Sequence, residues 1–232
     1  MRIQRFSRRE GALLARGITV IIDVFRAFTC EPLMYHYGAG KIILESDIDT
    51  CMRYAGKAIL IGEKDGRFIE GFDLLNSPWH IMAQGKEYFK NRTVVHRTTS
   101  GVTGAVAAMN HSDEVLLASY VNARATAQHI MNLNPGLVSI VAMGVATIEK
   151  TPEDEFCGDY IESLLAHTSY DHMRALHGIL SDESARKFLR GDTPYYPKED
   201  PSICLQRDVF DFALRVEREG DLLTVSKVYP SR

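Results

Sequence analysis

Short runs of β-branched and apolar residues alternate with helical patterns between residue 18 and about residue 167 of this 232-residue chain. The runs that predict strands cover 18–23, 41–45, 58–63, 93–97, 114–119 and 137–143. Most lack the apolar–polar alternation of a sheet with one wet face, so we expect them to be buried on both faces. Strands that alternate with helices favour βα units. The chain therefore predicts a three-layer α/β fold, with a largely parallel or mixed sheet and helices on both faces.

Helical patterns fill the gaps between these strands. They cover 29–37, 47–56, 77–85, 100–110, 122–133 and 152–167. Pro32 is expected in the first turn of its helix, where its missing N–H removes no hydrogen bond, and this puts the helix start near Thr29. The pattern beyond residue 170 predicts short helices over 171–208, followed by two closing strands at 209–216 and 222–228.

Composition narrows the classes of function. The 27 Lys and Arg residues are balanced by 30 Asp and Glu residues, which leaves no electrostatic footprint for nucleic acid or anionic lipid. The chain has no apolar run of about 18 residues and no secretory pattern at its basic start, so we expect a cytoplasmic protein. Its four cysteines lie far apart, which favours reduced, packed thiols. One compact domain over residues 1–232 is the expected organisation.

Polar side chains follow the predicted strands at the points where the strands end. Ligands of open α/β sheets bind beyond the carboxyl ends of the strands, so we expect these side chains to converge. The strand exits carry Asp23, Arg26, Glu63, Arg97, Thr98, Thr99, Ser100, Gly101 and Asn122, with Glu153 and Asp154 after a loop.

The RTTSG sequence at 97–101 suits an anion, because N–H groups at a helix start and the helix dipole both favour negative charge. Arg26 and Arg97 could add planar donors for phosphate or sulfonate oxygens. The alternative is that Thr99 or Ser100 only caps the helix. Neither a P-loop nor a dinucleotide fingerprint is present in the sequence.

The acids near the strand exits suit a divalent cation. Mg²⁺ takes one or two carboxylates and keeps its other positions for water and phosphate oxygens. Asp23 is the first candidate, because an unpaired carboxylate at the end of an apolar strand is unfavourable and requires a partner, which is a backbone cap, Arg26 or a metal. Glu153 and Asp154 have an alternative structural interpretation, in which Thr151 caps a helix and Asp154 completes a capping box.

The long loop at 62–80 is rich in Gly, Asp and Asn, and loops of this length are often functional. Asn76 and Ser77 also fit a helix cap before Pro78. His96 is a weak candidate for a supporting position near the site.

Five motifs in a fixed order closely resemble those of the 2-phosphosulfolactate phosphatases, the ComB family. They are DVFRAFT at 23–29, GEKDGRFIEGFDLLNSP at 62–78, TTSG at 98–101, SYVNARA at 119–125 and EDEFCGDYI at 153–161. The tail at 208–228 also fits. The resemblance implies an α/β fold with intertwined halves and a Mg²⁺-dependent acid phosphatase of the route to coenzyme M. Its substrate would be the phosphate ester of a small sulfonated hydroxy acid.

Carried over by motif, the resemblance points to residues in three groups. They are Asp23, Arg26 and Glu63 as catalytic residues; Asp73, Asn76, Ser77, Thr98, Thr99, Gly101 and Asn122, with neighbouring Arg97 and Ser100, for substrate binding; and Asp23, Glu63, Glu153 and Asp154 for Mg²⁺. The attacking group is either Asp23 or a metal-bound water. The chain departs from the family at three places: Ser100 and Val102 replace Asn and Thr, Lys64 and Asp65 replace Arg and Gly, and Arg97 replaces an uncharged residue. These changes bear on the sulfonate end of the substrate.

Two other functions stay open on the sequence. One is a phosphatase or phosphoryl transferase for another small phosphorylated acid, and the other is a non-catalytic module that binds a phosphorylated metabolite. A homodimer is compatible with an α/β enzyme of this size.

Overall fold

The structure is a computed structural model and describes residues 1–230. Over that range the strands are β1 (Arg2–Ser7), β2 (Gly17–Ile22), β3 (Lys41–Leu44), β4 (Ile59–Gly62), β5 (Leu74–Leu75), β6 (Thr93–Arg97), β7 (Ser112–Ala118), β8 (Leu137–Ala142), β9 (Ala213–Glu219) and β10 (Leu222–Val228). The helices are α1 (Arg8–Leu14), α2 (Ala27–His36), α3 (Ile48–Met52), α4 (Pro78–Phe89), α5 (Gly101–Met109), α6 (Ala123–Leu133), α7 (Pro152–Ala166), α8 (His172–Ser181), α9 (Glu183–Leu189) and α10 (Asp200–Cys204).

The strands form one mixed sheet in the order β1-β8-β2-β7-β9-β10-β3-β6-β4-β5. Strands β1, β8, β2 and β7 are parallel to one another, and so are β3, β6, β4 and β5. The antiparallel pair β9 and β10 joins the two groups. The expected α/β fold with a mixed, largely parallel sheet is confirmed.

Helices cover both faces of the sheet, and the strand residues alternate between the two layers. Ile21 of β2 packs in the cluster that holds α2, α4 and α5. Its neighbours Val20 and Ile22 pack in the cluster on the opposite face, with α6 and α7. A third cluster covers β3, β4 and β6 beside α3. The central strands are therefore apolar at successive positions because both of their faces are buried.

The chain crosses between the two parallel groups twice, through α2 from β2 to β3 and through α5 from β6 to β7. The two groups run in opposite directions, since three antiparallel pairings separate β7 from β3. The twist of the sheet offsets this reversal. Adjacent strands are rotated relative to each other by roughly 20–25°, so the strand direction turns by about 120–150° over the six steps from β2 to β4. The exits of β2, β4 and β6 therefore reach one region, and the halves are intertwined.

Pro32 lies inside α2 and not in its first turn, so the predicted helix start near Thr29 is wrong. The helix begins at Ala27. A proline at this position leaves the carbonyl of Phe28, four residues earlier, without its helical donor. The hydroxyl of Ser119 donates to that carbonyl at 3.0 Å. A side chain from another segment therefore makes an interior proline tolerable.

The other predicted elements agree with the structure to within a few residues, apart from the first closing strand, whereas β1, α1 and the two-residue strand β5 were not predicted. The six strands between 18 and 143 and the six helices between them are present, and so are the short helices of the 171–208 region. The first closing strand begins at Ala213 and not at residue 209. Strand β1 and helix α1 were not predicted, because RIQRFS is basic and partly exposed and lacks a strand pattern.

The start of α4 follows from the local sequence. The Ser77 hydroxyl accepts a hydrogen bond from the backbone N–H of His80 at 3.3 Å, and Pro78 occupies the first turn. The predicted helix cap at 76–78 is confirmed. Among residues 1–230, no helix has both the length and the apolar character needed to cross a membrane.

Candidate active site

A cavity of about 210 Å³ lies where the exits of β2, β4 and β6 meet the segment around α9. We call it the strand-exit cavity. Pockets for drug-sized ligands are typically about 300–1,000 Å³, so this one suits a smaller molecule. Its walls are formed by Asp23, Phe25, Arg26, Glu63, Asp65, Gly66, Asn76, Thr98, Thr99, Ser100, Gly144, Val145, Ala146, Lys187, Phe188 and Tyr196.

Asp23 follows β2 and is only 7% exposed. Its Oδ1 accepts a hydrogen bond from the backbone N–H of Ala27 at 3.3 Å, while Oδ2 has no hydrogen bond within residues 1–230. Burial, with smaller contributions from the nearby charges of Glu63 and Glu153, raises the pKa of Asp23 from 3.8 to about 7. Asp23 is therefore a more basic carboxylate than an ordinary Asp, with one oxygen free for a ligand.

Glu63 links the exit of β4 to the turn that follows β6. Its Oε1 accepts from the backbone N–H of Thr99 at 2.9 Å and from the Thr99 hydroxyl at 3.0 Å, and its Oε2 accepts from the Gly66 N–H at 2.7 Å. The Arg97 guanidinium donates to the carbonyl of Glu63, to the carbonyl of Ser46 and to the Thr99 hydroxyl. Arg97 thus holds the turn in place and does not line the cavity.

The start of α5 brings the turn at 98–101 against Asp23. The Thr98 hydroxyl accepts from the Gly101 N–H at 3.0 Å, and Ser100 makes no side-chain cap. A Cβ on Gly101 would lie 2.7 Å from the Phe28 ring and 3.1 Å from Asp23 Oδ2. Only glycine therefore lets the turn approach the carboxylate this closely. The convergence of these two strand exits, expected from the sequence, is present.

Arg26 is almost fully buried and pairs with Asp200. Its Nη1 donates to Asp200 Oδ2 at 2.9 Å and to the Tyr195 carbonyl at 3.0 Å. Asp200 Oδ1 accepts from the Ser77 hydroxyl at 2.8 Å and from the Trp79 N–H at 3.0 Å. This network fixes Arg26 at the cavity wall and ties the start of α4 to α10.

Glu153 and Asp154 are buried behind the cavity wall at the start of α7. Asp154 accepts from the backbone N–H of Val24 and of Gly144, both at 2.8 Å, so it joins the exits of β2 and β8. Glu153 accepts from the Ser184 hydroxyl at 2.7 Å. Because Asp154 bonds to these distant segments, the alternative of a capping box with Thr151 is wrong. Burial raises the pKa of both carboxyls.

His96 supports Asn76 from within the core. Its Nδ1 lies 2.9 Å from Glu31 Oε1 and its Nε2 lies 2.9 Å from Asn76 Oδ1. His96 and Glu31 are fully buried. Since the carbonyl oxygen of Asn76 faces the imidazole, its amide N–H groups are left for the cavity that Asn76 lines.

The predicted site residues divide into those at the cavity and those that support it. Asp23, Arg26, Glu63, Asn76, Thr98, Thr99 and Ser100 line it, and Gly101 abuts Asp23. Ser77 supports Asp200, and the buried Asn122 accepts from the Ser119 N–H and donates to the Leu117 carbonyl. Asp73 is exposed, and its carboxylate accepts from the Leu60 N–H at 2.7 Å. The structure therefore places Asp73, Ser77, Arg97 and Asn122 outside the cavity wall.

One side of the cavity has no signal in the sequence. Lys187, Phe188 and Tyr196 come from the 171–208 region, which carries no motif of the expected chemistry. Asp200 was also missed, because its partner Arg26 is 174 residues away. A buried acid can be found from sequence only when its partner is local.

The charge balance of the site favours a cation. Arg26 is neutralised by Asp200, and Arg97 lies 3.8 Å from Glu63. Asp23, Glu153 and Asp154 have no ion pair within residues 1–230. Hard carboxylate oxygens of this kind suit Mg²⁺. The described residues contain no preassembled group of three metal ligands, so the fit rests on the donor chemistry and the unbalanced charge.

The raised pKa of the Asp23 carboxyl predicts how the free energy of unfolding depends on pH in metal-free buffer. A carboxyl with a raised pKa binds its proton more tightly in the folded state, so its contribution is present below pH 3.8 and is lost as pH rises through about 7. We expect the free energy of unfolding of the wild-type protein, measured with urea in EDTA, to fall between pH 6 and 8. The fall is measured relative to the Asp23→Asn variant, which lacks this titrating group. A difference that stays constant over this range would contradict the prediction.

The family model described as 2-phosphosulpholactate phosphatase matches residues 7–219 of the chain. Among the relatives of the chain, three that carry the name "Probable 2-phosphosulfolactate phosphatase" illustrate the similarity. The one from Bacillus subtilis (strain 168) is 29% identical over 98% of this chain and 99% of its own. The one from Caldicellulosiruptor saccharolyticus is 36% identical over 71% of this chain and 70% of its own. The one from Clostridium perfringens (strain 13 / Type A) is 26% identical over 93% and 92%.

Proposed function

The chain belongs to the 2-phosphosulpholactate phosphatase family, and on that premise we propose that it is a Mg²⁺-dependent phosphatase for a small sulfonated hydroxy acid. The reaction would convert 2-phosphosulfolactate and water to sulfolactate and phosphate. We also propose that residues 1–232 act as one domain, in the cytoplasm, either alone or as a homodimer.

The observation that carries this proposal is the contact between Asp23 and the turn at 98–101. A basic carboxylate oxygen without a hydrogen bond lies beside the start of α5, where the helix dipole favours an anion. A phosphoryl group at this helix start would face Asp23 Oδ2. Nucleophile and anion site are therefore adjacent, as hydrolysis of a phosphate ester requires.

Asp23 is the proposed nucleophile. Its Oδ2 would form a bond to phosphorus as the bond from phosphorus to the ester oxygen breaks, and the departing alkoxide takes a proton from solvent water. Water or hydroxide would then attack phosphorus of the aspartyl phosphate, a mixed anhydride, and the bond from phosphorus to Oδ2 breaks, which releases inorganic phosphate and regenerates the carboxylate. In the alternative reaction water attacks directly, and Asp23 only orients the attacking group.

Arg26, Asn76 and the turn at 98–101 are the proposed partners of the phosphoryl oxygens. Among residues 1–230, Arg26 makes its hydrogen bonds through Nη1 only, so its other donors can reach a ligand in the cavity. Donors that are already oriented stabilise charge in a transition state without reorganisation.

Mg²⁺ would be held by Asp23 with help from Glu63, Glu153 and Asp154. The support is that the carboxyls of Asp23, Glu153 and Asp154 are buried without an ion pair within residues 1–230, together with the free oxygen of Asp23. When bound, the ion would neutralise phosphoryl oxygens and so lower the barrier to attack. Glu63 and Asp154 each accept backbone N–H bonds at both oxygens, which makes them the weaker candidates for direct contact.

One observation favours a second candidate, a phosphatase for a different small acid. Asp65 lines the cavity and has a φ of +53°, a conformation that favours glycine. The family motif, as the sequence resemblance gave it, has glycine here. A carboxylate at this wall would repel the sulfonate of 2-phosphosulfolactate.

A phosphate-release assay distinguishes the two candidates. We expect hydrolysis of 2-phosphosulfolactate with Mg²⁺, loss of activity in excess EDTA and recovery when Mg²⁺ is restored. Faster hydrolysis of 2-phospholactate would favour the second candidate, and full activity in EDTA would contradict the role of the metal. Binding of these esters without turnover would overturn the assignment as an enzyme.

A further inference from the structure

Lys187 brings into the strand-exit cavity a cation that the proposed chemistry does not use. It lies on α9, is partly buried and lines the cavity. Within residues 1–230 its ammonium group has no hydrogen bond and no ion pair. Arg26, the other cation at this wall, is neutralised by Asp200 at 2.9 Å. Lys187 is therefore the cation of the cavity that lacks a counter-ion.

An aromatic wall fixes the position of this ammonium group. Its Nζ lies 5.4 Å from the ring centroid of Phe188 and 5.1 Å from that of Tyr196. The guanidinium carbon of Arg26 lies 5.3 and 5.7 Å from the same two centroids. Cation–π contacts of this kind hold both groups in place. The two cations flank one pair of rings, and a ligand meets both of them along the same wall.

An anionic ligand beside Lys187 would supply the counter-ion that its partly buried ammonium group lacks. Burial lowers the pKa of Lys187, because the charged form loses water without gaining a close partner. Glu153, Glu183 and Glu63 act on it through space, but all of their carboxylates lie beyond ion-pair distance. A ligand that carries a negative group to this wall is therefore stabilised by the free ammonium group.

Different segments bring Lys187 and Asp23 to the strand-exit cavity. Lys187 lies on α9, with its ammonium group against the rings of Phe188 and Tyr196. Asp23 follows β2, with Oδ2 beside Gly101 at the start of α5, and within residues 1–230 its carboxylate lies beyond ion-pair distance of Lys187. A phosphoryl group placed against Asp23 would leave Lys187 facing the other end of a small ligand.

We propose that Lys187 determines substrate specificity by binding a second anionic group, a carboxylate or a sulfonate, at the end of the substrate away from the phosphate. This inference rests on the proposed function and extends it to the substrate class. It predicts a preference for phosphate esters of small acids over phosphate esters with neutral tails.

The test compares Lys187→Met and Lys187→Arg on three esters: 2-phosphosulfolactate, 2-phospholactate and propyl phosphate. Met keeps the length and packing of the lysine stem, and Arg keeps the charge. We expect Lys187→Met to raise KM about 10- to 100-fold for the acidic esters, which is the usual effect of removing a charged hydrogen-bond partner. KM for propyl phosphate and kcat should stay near wild type, and Lys187→Arg should recover most of the loss.

The pattern across the esters identifies the group that is bound. A loss confined to 2-phosphosulfolactate assigns the sulfonate, and a loss on both acidic esters assigns the carboxylate. The matched control is Lys198→Met, at an exposed lysine that does not line the cavity. An equal loss on propyl phosphate, or no loss on any ester, overturns the proposal.

Failure of the proposed function would be visible separately, as absence of phosphate release from all three esters by the wild-type protein. Lys187 is then tested by calorimetric titration with sulfolactate, which carries both acidic groups and no phosphate. The proposal expects binding at least about 10-fold weaker in Lys187→Met than in wild type. Equal binding by the two proteins would overturn it.

Discussion

Replacing Asp23 by Asn is expected to reduce turnover at least about 10³-fold, the scale on which nucleophile removal acts. The same change should stabilise the fold at pH 8. Asn keeps an oxygen for the Ala27 N–H but carries no charge, whereas burial and the charges of Glu63 and Glu153 disfavour the Asp23 carboxylate. We expect a gain of about 1 kcal/mol or more, which raises Tm by about 2–4 °C in a domain of this size.

Phosphate release and thermal melting in EDTA measure the two effects on one protein. Asp221→Asn, in the exposed turn between β9 and β10, is the matched control and should change neither quantity. Near-normal turnover in Asp23→Asn would remove Asp23 from the mechanism. A loss of both activity and stability would instead mean that the carboxylate is structural.

Replacing Asp200 by Ala is expected to give the largest loss of stability. Both members of the Arg26–Asp200 pair are buried, with side-chain exposures of 3% and 0%. Removing the acid leaves the Arg26 charge without a partner in the core and frees the Ser77 hydroxyl and the Trp79 N–H. Breaking a buried pair in this way typically costs about 3–5 kcal/mol. Turnover should also fall, because Arg26 is no longer fixed at the cavity wall.

Urea denaturation at pH 7.5 measures the change. The control is Glu183→Ala, which breaks the exposed pair with Arg190 at 2.7 Å. Solvent screens such a pair, so the control should differ little from wild type. If Asp200→Ala were as stable as this control, Arg26 would have to be hydrated in the folded protein and could not be a buried partner of Asp200.

The strands and most helices could be predicted because their signals are local. The apolar run before Asp23 marks a strand buried on both faces, and Ser77 with Pro78 marks the start of α4. The rule that ligands bind beyond strand ends then led to Asp23, Glu63 and the turn at 98–101, which all meet at the cavity. Strand β1 had no such signal, since its basic residues lie at the edge of the sheet.

The roles of Asp154 and Pro32 could be assigned only from the tertiary structure. Thr151-Pro152 with Asp154 fits a capping box as a sequence, yet Asp154 bonds to the backbone of Val24 and Gly144. Pro32 fits a first turn as a sequence, yet Ser119 makes an interior position acceptable. In both cases a hydrogen bond with a distant segment decides the arrangement, and the local sequence does not record that segment.

The sequence by itself determined the alternation of buried strands with helices and the set of polar residues at the strand exits. These follow from the periodicity of apolar residues, which acts over a few neighbours. Only the tertiary structure decided that Asp200 neutralises Arg26, that Lys187 stays unpaired, and that Asp23 meets the turn at 98–101. The energy of a buried charge depends on which segments surround it, and those segments are brought together by sheet order and twist, which no local pattern records.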